Sequence, residues 1–367
     1  MALIGPRQAG KTTLARSLGG TYYDLEQEPE RLRLDLEWDR TVAGSSLVVL
    51  DEAQAAPDVF VRLRGAIDAD RKRNGRILLL GSVSPALMTE VSESLAGRLA
   101  LVELTPLLAS ELETPTERDR LWLTGGFPDG GVLGSRAFPR WQADYMTLLV
   151  QRDLPVWGMP ARPATSLRLS KMLAAVHGQL WNASQLGRSL GLSYHTVNSY
   201  VDYLVGAFLV RRLPPFHASV RKRLVKSPKV YWRDSGLLHS LLNVADRRSL
   251  LEQPWVGASW EGFVIEQVLG QLVAAGHPYE AFHLRTSDGH EVDLILDLGG
   301  ELWAIEIKLT TSPAREDMRR LDELATTIGA ERAYMVSRTS RPVGDERRAS
   351  ANLEWLLERL PGSTEVR

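Results

Sequence analysis

The chain has 367 residues, of which 44% are apolar and 24% are charged, and its formal net charge is −1. This ordinary globular composition excludes a strongly basic or acidic disordered protein, and the length predicts two or three domains at roughly 150 residues each. The chain has no cysteine, which excludes disulfides, thiolate metal sites and a cysteine nucleophile. We therefore predict a cytoplasmic protein. Since no apolar run approaches the roughly 18 residues of a membrane span and the start lacks the features of a signal peptide, we expect no membrane partner.

Residues 1–110 show short apolar runs that alternate with helical stretches. The runs are residues 3–4, 47–50, 77–80 and 99–104. Continuous apolar runs of this length are typical of parallel strands that are buried on both faces. The pattern predicts an α/β domain with a doubly wound parallel sheet.

A glycine-rich loop follows the first apolar run. Residues 5–12 match the pattern G-x-x-x-x-G-K-[ST], in which successive backbone N–H groups point at phosphate oxygens and the helix N-terminus adds its dipole. Lys11 is expected to reach the β- and γ-phosphates, and the Thr12 hydroxyl to ligate Mg²⁺. The pattern predicts ATP and Mg²⁺ as cofactors, with nucleotide contacts from Gly5, Pro6, Arg7, Gln8, Ala9, Gly10, Lys11, Thr12 and Thr13.

Two acids end the second apolar run, at the sheet edge where ligands of parallel α/β domains bind. We expect Asp51 to hold the Mg²⁺ shell and Glu52 to polarise the attacking water. Ser82, which follows the third run, is a weaker catalytic candidate that could bond the γ-phosphate or the water. Arg98 is a candidate arginine finger, with a plain surface arginine as the alternative.

Residues 181–204 have the rhythm of a helix-turn-helix, with Ser184 and Ser193 as predicted N-caps. In a DNA reader the second helix would present Tyr194, His195, Asn198 and Ser199 to the major groove. Eight cations without an intervening acid follow and predict a phosphate-tracking surface: Arg211, Arg212, Arg221, Lys222, Arg223, Lys226, Lys229 and Arg233. The alternatives are a helix-turn-helix used only for packing and a solvated or protein-docking basic face.

The C-terminal region contains a second possible constellation of charges. Asp293 begins one apolar strand, and Glu306 and Lys308 end the next one after a Gly299-Gly300 turn. Asp293, Glu306 and Glu261 on the preceding helix could ligate Mg²⁺, while Lys308 polarises a water or steadies a phosphorane. The set resembles the core of restriction-endonuclease-like nucleases. The alternative is a buried ion-pair cluster in an inactive nuclease fold.

Several of these motifs together resemble the AAA+-related archaeal-type ATPase family, whose prokaryotic members carry a C-terminal domain of unknown function. The resemblance covers almost the whole chain and rests on residues 5–14, 51–54, 81–82, 97–98 and 125–128. It implies an ATPase module followed by a winged helix and a restriction-endonuclease-like domain. One departure is that family members usually have a helix before the first strand, whereas four residues precede Gly5 here. The start is therefore expected to be truncated or misassigned.

These observations predict five segments: an ATPase core at 1–112, a helical lid or linker at 113–164, a winged-helix-like domain at 165–215, a restriction-endonuclease-like α/β domain at 216–345 and a C-terminal tail at 346–367 that packs loosely. The predicted function is ATP hydrolysis coupled to action on DNA, with a Mg²⁺-dependent nuclease as a further possibility and a homo-oligomer as a possible assembly. The alternative is a slow ATP-dependent switch that docks protein partners through its winged-helix and inactive nuclease-like domains.

Overall fold

The computed structural model describes residues 1–81, 95–216, 225–286 and 289–362. The chain divides into two units, Met1–Pro106 with Gly206–Phe208, and Leu107–Val205 with Leu209–Arg367. In the part that the structure describes, no helix is long and apolar enough to cross a membrane.

The first unit is built on a five-stranded parallel sheet in the order β2-β3-β4-β1-β5. Its strands are β1 (Ala2–Ile4), β2 (Thr21–Asp24), β3 (Val48–Asp51), β4 (Ile77–Leu80) and β5 (Leu101–Glu103). Its helices are α1 (Lys11–Ser17), α2 (Glu28–Ala43) and α3 (Asp58–Ala69), and a 3₁₀ turn covers Ala53–Ala55. The predicted parallel α/β sheet is confirmed.

The apolar runs form strands because the side chains on each face of a strand are buried in a hydrophobic cluster. Val49 and Leu78 pack with Ala15 of α1 on one face. Leu50 and Leu79 pack with a second cluster that includes Phe60 of α3 on the other. Burial on both faces explains why these strands are continuously apolar rather than alternating. It also places the carboxyl end of β3 beside the loop that follows β1.

The second unit begins with helices. They are α4 (Pro115–Thr124), α5 (Arg140–Leu148), which continues through Leu149–Asp153 and Leu154–Val156, and α6 (Pro163–Ala175), with 3₁₀ turns at Ala109–Glu111 and Ser135–Ala137. A three-stranded antiparallel sheet in the order β6-β8-β7 follows. Along the chain its elements are β6 (Gln179–Leu180), α7 (Ala183–Leu190), α8 (Tyr194–Gly206), β7 (Val210–Leu213) and β8 (Lys229–Trp232).

The turn between α7 and α8 contains Gly191, and one of the two predicted N-caps is confirmed. Gly191 ends α7 at φ +69°, a conformation that glycine adopts without strain. Ser193 caps α8, since its hydroxyl accepts a hydrogen bond from the Thr196 N–H at 3.1 Å. The predicted cap Ser184 is wrong: Asn182 caps α7 by accepting from the Gln185 N–H at 3.0 Å, so the helix starts earlier.

A six-stranded mixed sheet in the order β13-β14-β12-β11-β10-β9 completes the second unit. Its strands are β9 (Glu280–Arg285), β10 (Glu291–Asp297), β11 (Leu302–Ile307), β12 (Arg332–Val336), β13 (Val343–Gly344) and β14 (Arg348–Ala351). The helices are α9 (Ser235–Leu241), α10 (Arg247–Leu251), α11 (Val256–Ala274), α12 (Arg315–Ile328) and α13 (Leu353–Leu357). Apolar side chains of α11 and α13 pack on one face of the sheet, and those of α12 pack on the other.

The expected loose tail at 346–367 is wrong over the described residues to 362. β14 pairs in parallel with β12, and Leu356 and Leu360 of the following segment are almost fully buried in the core beneath α11. A four-residue strand and a five-residue helix are too short for a periodic pattern to reveal them. Residues 363–367 lie outside the described part.

Candidate functional site

The loop from β1 to α1 has a backbone that requires its glycines. Gly5 has φ +144°, and a Cβ there would lie 2.2 Å from the Leu104 carbonyl oxygen. Gly10, at the start of α1, has φ +100°. Any side chain at these positions would be strained or would clash. The predicted nucleotide-binding residues thus form one continuous loop and the first turn of α1: Gly5, Pro6, Arg7, Gln8, Ala9, Gly10, Lys11, Thr12 and Thr13.

The Lys11 ammonium lies over this loop. Its Nζ donates to the carbonyl oxygens of Gly5 at 2.9 Å and Pro6 at 2.8 Å. Burial lowers the pKa of Lys11 to about 8, although the charges of Glu52 and Asp51 act in the opposite direction. A phosphate group brought beside this ammonium would favour its charged form.

Asp51 lies at the carboxyl end of β3 and is almost fully buried. Its Oδ2 accepts hydrogen bonds from the Thr12 hydroxyl at 2.8 Å and from the Tyr22 hydroxyl at 2.6 Å. Its Oδ1 accepts from the Glu52 N–H at 2.9 Å. The structure therefore brings the predicted metal-shell residues Thr12 and Asp51 into direct contact.

Sequence reasoning missed Tyr22. It lies on β2, opposite Val49 of β3, and therefore on the face of the sheet that Asp51 shares. Burial and the bond to Asp51 raise the pKa of Tyr22 to about 12, so the phenol is a hydrogen-bond donor at neutral pH. Tyr22 lies 29 residues from Asp51 in the sequence, so no local pattern links the two residues.

Glu52 has a left-handed backbone conformation at φ +50°, which is uncommon for a residue with a side chain. Its Oε2 accepts a hydrogen bond from the Gln54 side-chain amide. Burial raises the pKa of Glu52 above its ordinary value, while the Gln54 bond opposes that shift. The two neighbouring acids thus have distinct environments, which is what separate metal-holding and water-orienting roles require.

Of the two other catalytic candidates, the structure describes Arg98 and not Ser82. Ser82 lies outside the described residues. Arg98 makes two bonds to Asp68 of α3, both at 2.9 Å. The bonds from Arg98, with those from Arg71, lower the pKa of Asp68 to about 2, so this ion pair persists across the physiological pH range.

The helix-turn-helix presents part of the predicted reading face. Tyr194, His195 and Ser199 are exposed at the start of α8, and the first two rings are 3.8 Å apart. Asn198 is half-buried, and its side-chain oxygen accepts from the Trp181 indole N–H at 2.8 Å. Asn198 therefore contributes to packing.

Four of the eight predicted surface cations are paired within the unit. Arg211 and Arg233 both donate to Glu266, at 2.9 and 3.0 Å, and Arg212 pairs with Asp202. Lys229 is buried among carboxylates, as described below. The expectation that all eight line a phosphate-binding surface is therefore wrong, because an acid distant in sequence neutralises each of these. Lys226 is exposed, and Arg221, Lys222 and Arg223 lie outside the described residues.

The predicted C-terminal acids come together in the structure, but the cation that contacts several of them is Lys229 rather than the predicted Lys308. β10 and β11 form the predicted antiparallel hairpin. Glu261 of α11, Asp293 of β10, and Glu306 and Lys308 at the end of β11 all line one cavity of about 560 Å³. The Lys308 ammonium pairs with Glu306 at 2.5 Å. Lys229 of β8 enters the same cavity wall and contacts Glu261 at 2.7 Å.

The expected Mg²⁺ site at Glu261, Asp293 and Glu306 is not supported. Among the residues with a described placement, no group of three or more His, Asp or Glu side chains could hold a metal ion. Lysine ammonium groups pair with two of the carboxylates, Lys229 with Glu261 and Lys308 with Glu306. Burial, followed by the Asp293 charge, raises the pKa of Glu261 to about 7 and that of Glu306 to about 8.

Comparisons with known proteins define the class. Residues 1–113 match the model of an AAA domain. Residues 116–248 and 256–355 match two domains of unknown function, DUF8612 and DUF4143. The protein is therefore an AAA-domain protein with a DUF4143 domain at its C-terminal end.

The chain belongs to the same family as two mycobacterial proteins, uncharacterized protein Rv2008c of Mycobacterium tuberculosis and uncharacterized protein Mb2031c of Mycobacterium bovis. It is 41% identical to each over 317 residues, which cover 85% of this chain and 70% of each relative. The crystal structure of protein VC1899 from Vibrio cholerae aligns with 94% of this chain and 89% of its own at 11% identity, with a TM-score of 0.20. That similarity is too low to carry an argument.

An AAA domain suggests ATPase activity and implies nucleotide binding, usually with Mg²⁺. The donor set at the loop fits both groups. Oxygen ligands such as the Thr12 hydroxyl and the Asp51 carboxylate are those that Mg²⁺ prefers. A buried ammonium at Lys11 beside a glycine-bounded loop suits the phosphates.

Proposed function

We propose that this protein hydrolyses ATP at the loop of residues 5–13 and uses its helix-turn-helix segment to bind double-stranded DNA. The observation that carries the ATPase proposal is the contact of Thr12 with Asp51 at 2.8 Å, beside the Lys11 ammonium. In this proposal Thr12 and Asp51 hold the Mg²⁺ shell, and Lys11 holds the β- and γ-phosphates. When bound, Mg²⁺ would neutralise charge that develops on the phosphate oxygens.

Glu52 would orient the attacking water and accept its proton. Burial raises the pKa of Glu52, which brings it closer to neutrality, where a general base works best. The amide of Gln54 fixes one carboxylate oxygen and leaves the other for the water. Tyr22 would hold Asp51 in position through its hydroxyl.

The test is ATP hydrolysis and nucleotide affinity in the full chain. Lys11→Ala should abolish ATP binding because it removes the charge partner of the phosphates. Glu52→Gln should retain binding and lose turnover by about 10²-fold or more, in the range of a lost catalytic base. Glu28→Gln, which changes an exposed acid of the same unit, is the matched control and should leave both quantities unchanged. Equal turnover in Glu52→Gln and the wild-type protein would refute the role of Glu52.

The DNA part of the proposal is supported by the order of elements α6-β6-α7-α8-β7-β8. These elements are a helix, a short strand, two helices and two further strands, and the three strands form one sheet. Winged-helix domains have the same order of elements. Such domains place the start of the second helix of the pair in the major groove, where Tyr194, His195 and Ser199 are exposed. The segment between β7 and β8 carries Arg221, Lys222 and Arg223 in the sequence.

Salt dependence of DNA binding tests this part. Replacing Arg221, Lys222 and Arg223 with alanine should weaken binding to all sequences and reduce the slope of log affinity against log salt by up to about 3. The control removes three exposed arginines elsewhere in the unit: Arg140, Arg152 and Arg248. If the two triple variants bind alike at low salt, the DNA proposal fails.

A second candidate is a nucleotide-dependent switch that docks a protein partner. It is favoured by the pairing of Arg211 and Arg233 with Glu266 and of Arg212 with Asp202, which removes cations from the proposed phosphate surface. DNA that raises the ATPase rate supports the first candidate, whereas a rate independent of DNA supports the switch. Sedimentation over a range of protein concentrations tests the homo-oligomer and a role for Arg98 in a neighbouring subunit.

A further inference from the structure

The cavity of the second unit is lined by charges of both signs. Four carboxylates belong to Glu261, Glu291, Asp293 and Glu306, and three cations belong to Lys229, Arg285 and Lys308. Two of these cations have one clear partner, since Lys308 pairs with Glu306 at 2.5 Å and Arg285 with Glu291 at 3.4 Å. Lys229 differs because it contacts several acids at once.

Lys229 reaches three carboxylates from the middle of the cluster. Its side chain is 3% exposed, and its ammonium lies 2.7 Å from Glu261, in contact with Glu291, and 3.6 Å from Asp293. Burial alone would lower the pKa of Lys229, yet the three carboxylates raise it far above its ordinary value. The three contacts place the Lys229 ammonium at the centre of the carboxylates.

We propose that the Lys229 ammonium is the resident cation of this carboxylate cluster and that it excludes a divalent metal ion from it. A metal and an ammonium would compete for the same oxygens. Mg²⁺ needs them at about 2.0–2.1 Å in octahedral arrangement, whereas an ammonium bonds at about 2.7–2.9 Å. The 2.7 Å contact of Lys229 with Glu261 lies in the ammonium range, whereas Asp293 at 3.6 Å lies beyond a direct hydrogen bond.

Two of these carboxylates accept further hydrogen bonds from the chain, whereas Glu306 Oε2 is buried and has no hydrogen-bond partner among the described residues. Glu261 Oε1 accepts a second bond, from the Tyr231 hydroxyl at 2.5 Å. Asp293 Oδ2 accepts from the Ile307 N–H at 2.8 Å. Four carboxylates and three cations leave the lining at −1 when all are ionised, so an added divalent ion would reverse its sign. The carboxylates therefore have little electrostatic demand for a metal.

In this proposal the cluster has a structural role. Lys229 lies on β8 of the three-stranded sheet, whereas its partners lie on α11 and β10. The cation supplied by the chain thus joins the helix-turn-helix sheet to the six-stranded sheet at all metal concentrations. The chemistry of metal-assisted phosphodiester cleavage has no place at this cluster while Lys229 occupies it.

Removing the ammonium should convert the cluster into a metal site. The full chain without nucleotide is compared as wild type, Lys229→Met and the control Lys226→Met, whose side chain is exposed. Methionine keeps the length of the side chain and removes its charge. Bound Mn²⁺ is counted by electron paramagnetic resonance, and thermal unfolding is followed with and without Mn²⁺. Any weak Mn²⁺ binding at Asp51 is common to all three proteins and cancels.

We expect Lys229→Met to bind one more equivalent of Mn²⁺ than the wild type and Lys226→Met, and to regain with Mn²⁺ the melting temperature that it loses without it. Failure of Mn²⁺ to bind or stabilise folded Lys229→Met would overturn the proposal. If that variant does not fold even with Mn²⁺, Glu306→Gln decides. Equal Mn²⁺ binding by wild type and Glu306→Gln supports exclusion, and a lower stoichiometry in Glu306→Gln contradicts it.

Discussion

Glu266 offers the sharpest test of the buried charge network. It lies on α11 with 7% of its surface exposed. Its carboxylate accepts from Arg211 at 2.9 Å and from Arg233 at 3.0 Å. The change Glu266→Gln keeps the shape, removes the charge and places an amide donor where two guanidinium groups already donate.

The expected cost follows from the burial of all three groups. Breaking a buried ion pair by removing one partner destabilises a protein by about 3–5 kcal/mol, because the remaining charge is left uncompensated. The arginine side chains are 20% and 13% exposed, so water can partly solvate them. We therefore expect a loss of about 3 kcal/mol in the free energy of unfolding of the second unit.

Urea unfolding followed by circular dichroism measures this loss. At a slope of about 1–3 kcal/mol/M, the midpoint of the transition should fall by about 1–3 M. The control Glu252→Gln removes an exposed acid that pairs with Arg248 one helical turn away, and it should cost less than about 1 kcal/mol. Equal midpoints for the two variants would refute the reasoning.

The ion pairs of Glu266 with Arg211 and Arg233 also predict that the stability of the second unit depends on pH. Burial acts to raise the pKa of Glu266, but Arg211 and Arg233 outweigh it and hold the pKa below its ordinary value of 4.5. A carboxyl with a lowered pKa in the folded state stabilises fully above its unfolded value and loses that contribution as the pH falls through the folded value. The stability difference between wild type and Glu266→Gln should therefore shrink below about pH 4.5.

Two further substitutions have matched controls in the same strand or helix. Tyr22→Phe removes a hydrogen bond to the charged Asp51, a contact worth about 1.5–3 kcal/mol, so ATP turnover should fall. The control Tyr23→Phe removes a hydroxyl that bonds elsewhere and should retain the wild-type turnover. Equal steady-state rates for the two variants would contradict the positioning role of Tyr22. Gly262→Ala would place a Cβ 2.3 Å from a buried imidazole nitrogen and should cost about 1–3 kcal/mol, whereas Gly257→Ala on the same helix meets nothing within 4 Å and should be neutral or stabilising in thermal melts.

The sequence predicted those parts of the molecule whose signal is local. Residues 5–12 and the pair Asp51-Glu52 are contiguous motifs, and the apolar runs at 47–50 and 77–80 mark strands buried on both faces. The first unit could be inferred from them. β2 was missed because residues 21–24 are two tyrosines between a threonine and an aspartate, of which only Tyr23 is buried, so this edge strand has no apolar run.

The charge cluster of the second unit was predicted in its acids but not in its cation. Glu261, Asp293 and Glu306 are placed by a helix and a hairpin that periodicity reveals. Lys229 lies 32 residues before Glu261, within a run that reads as a basic surface. Pairing across such distances depends on how β8 packs against α11, which no local pattern specifies. The same limitation explains the neutralisation of Arg211 and Arg233 by Glu266.

The segment between β7 and β8 is attached to the sheet edge at both of its ends. The N–H of Phe216 donates to the His283 carbonyl at 2.8 Å, and that of Val225 donates to the Arg285 carbonyl at 3.0 Å. These acceptors lie two residues apart on β9, so the chain leaves and returns at nearly the same point. Proline has no N–H to donate. A proline at position 216 or 225 would therefore remove one of these two bonds and leave the other in place.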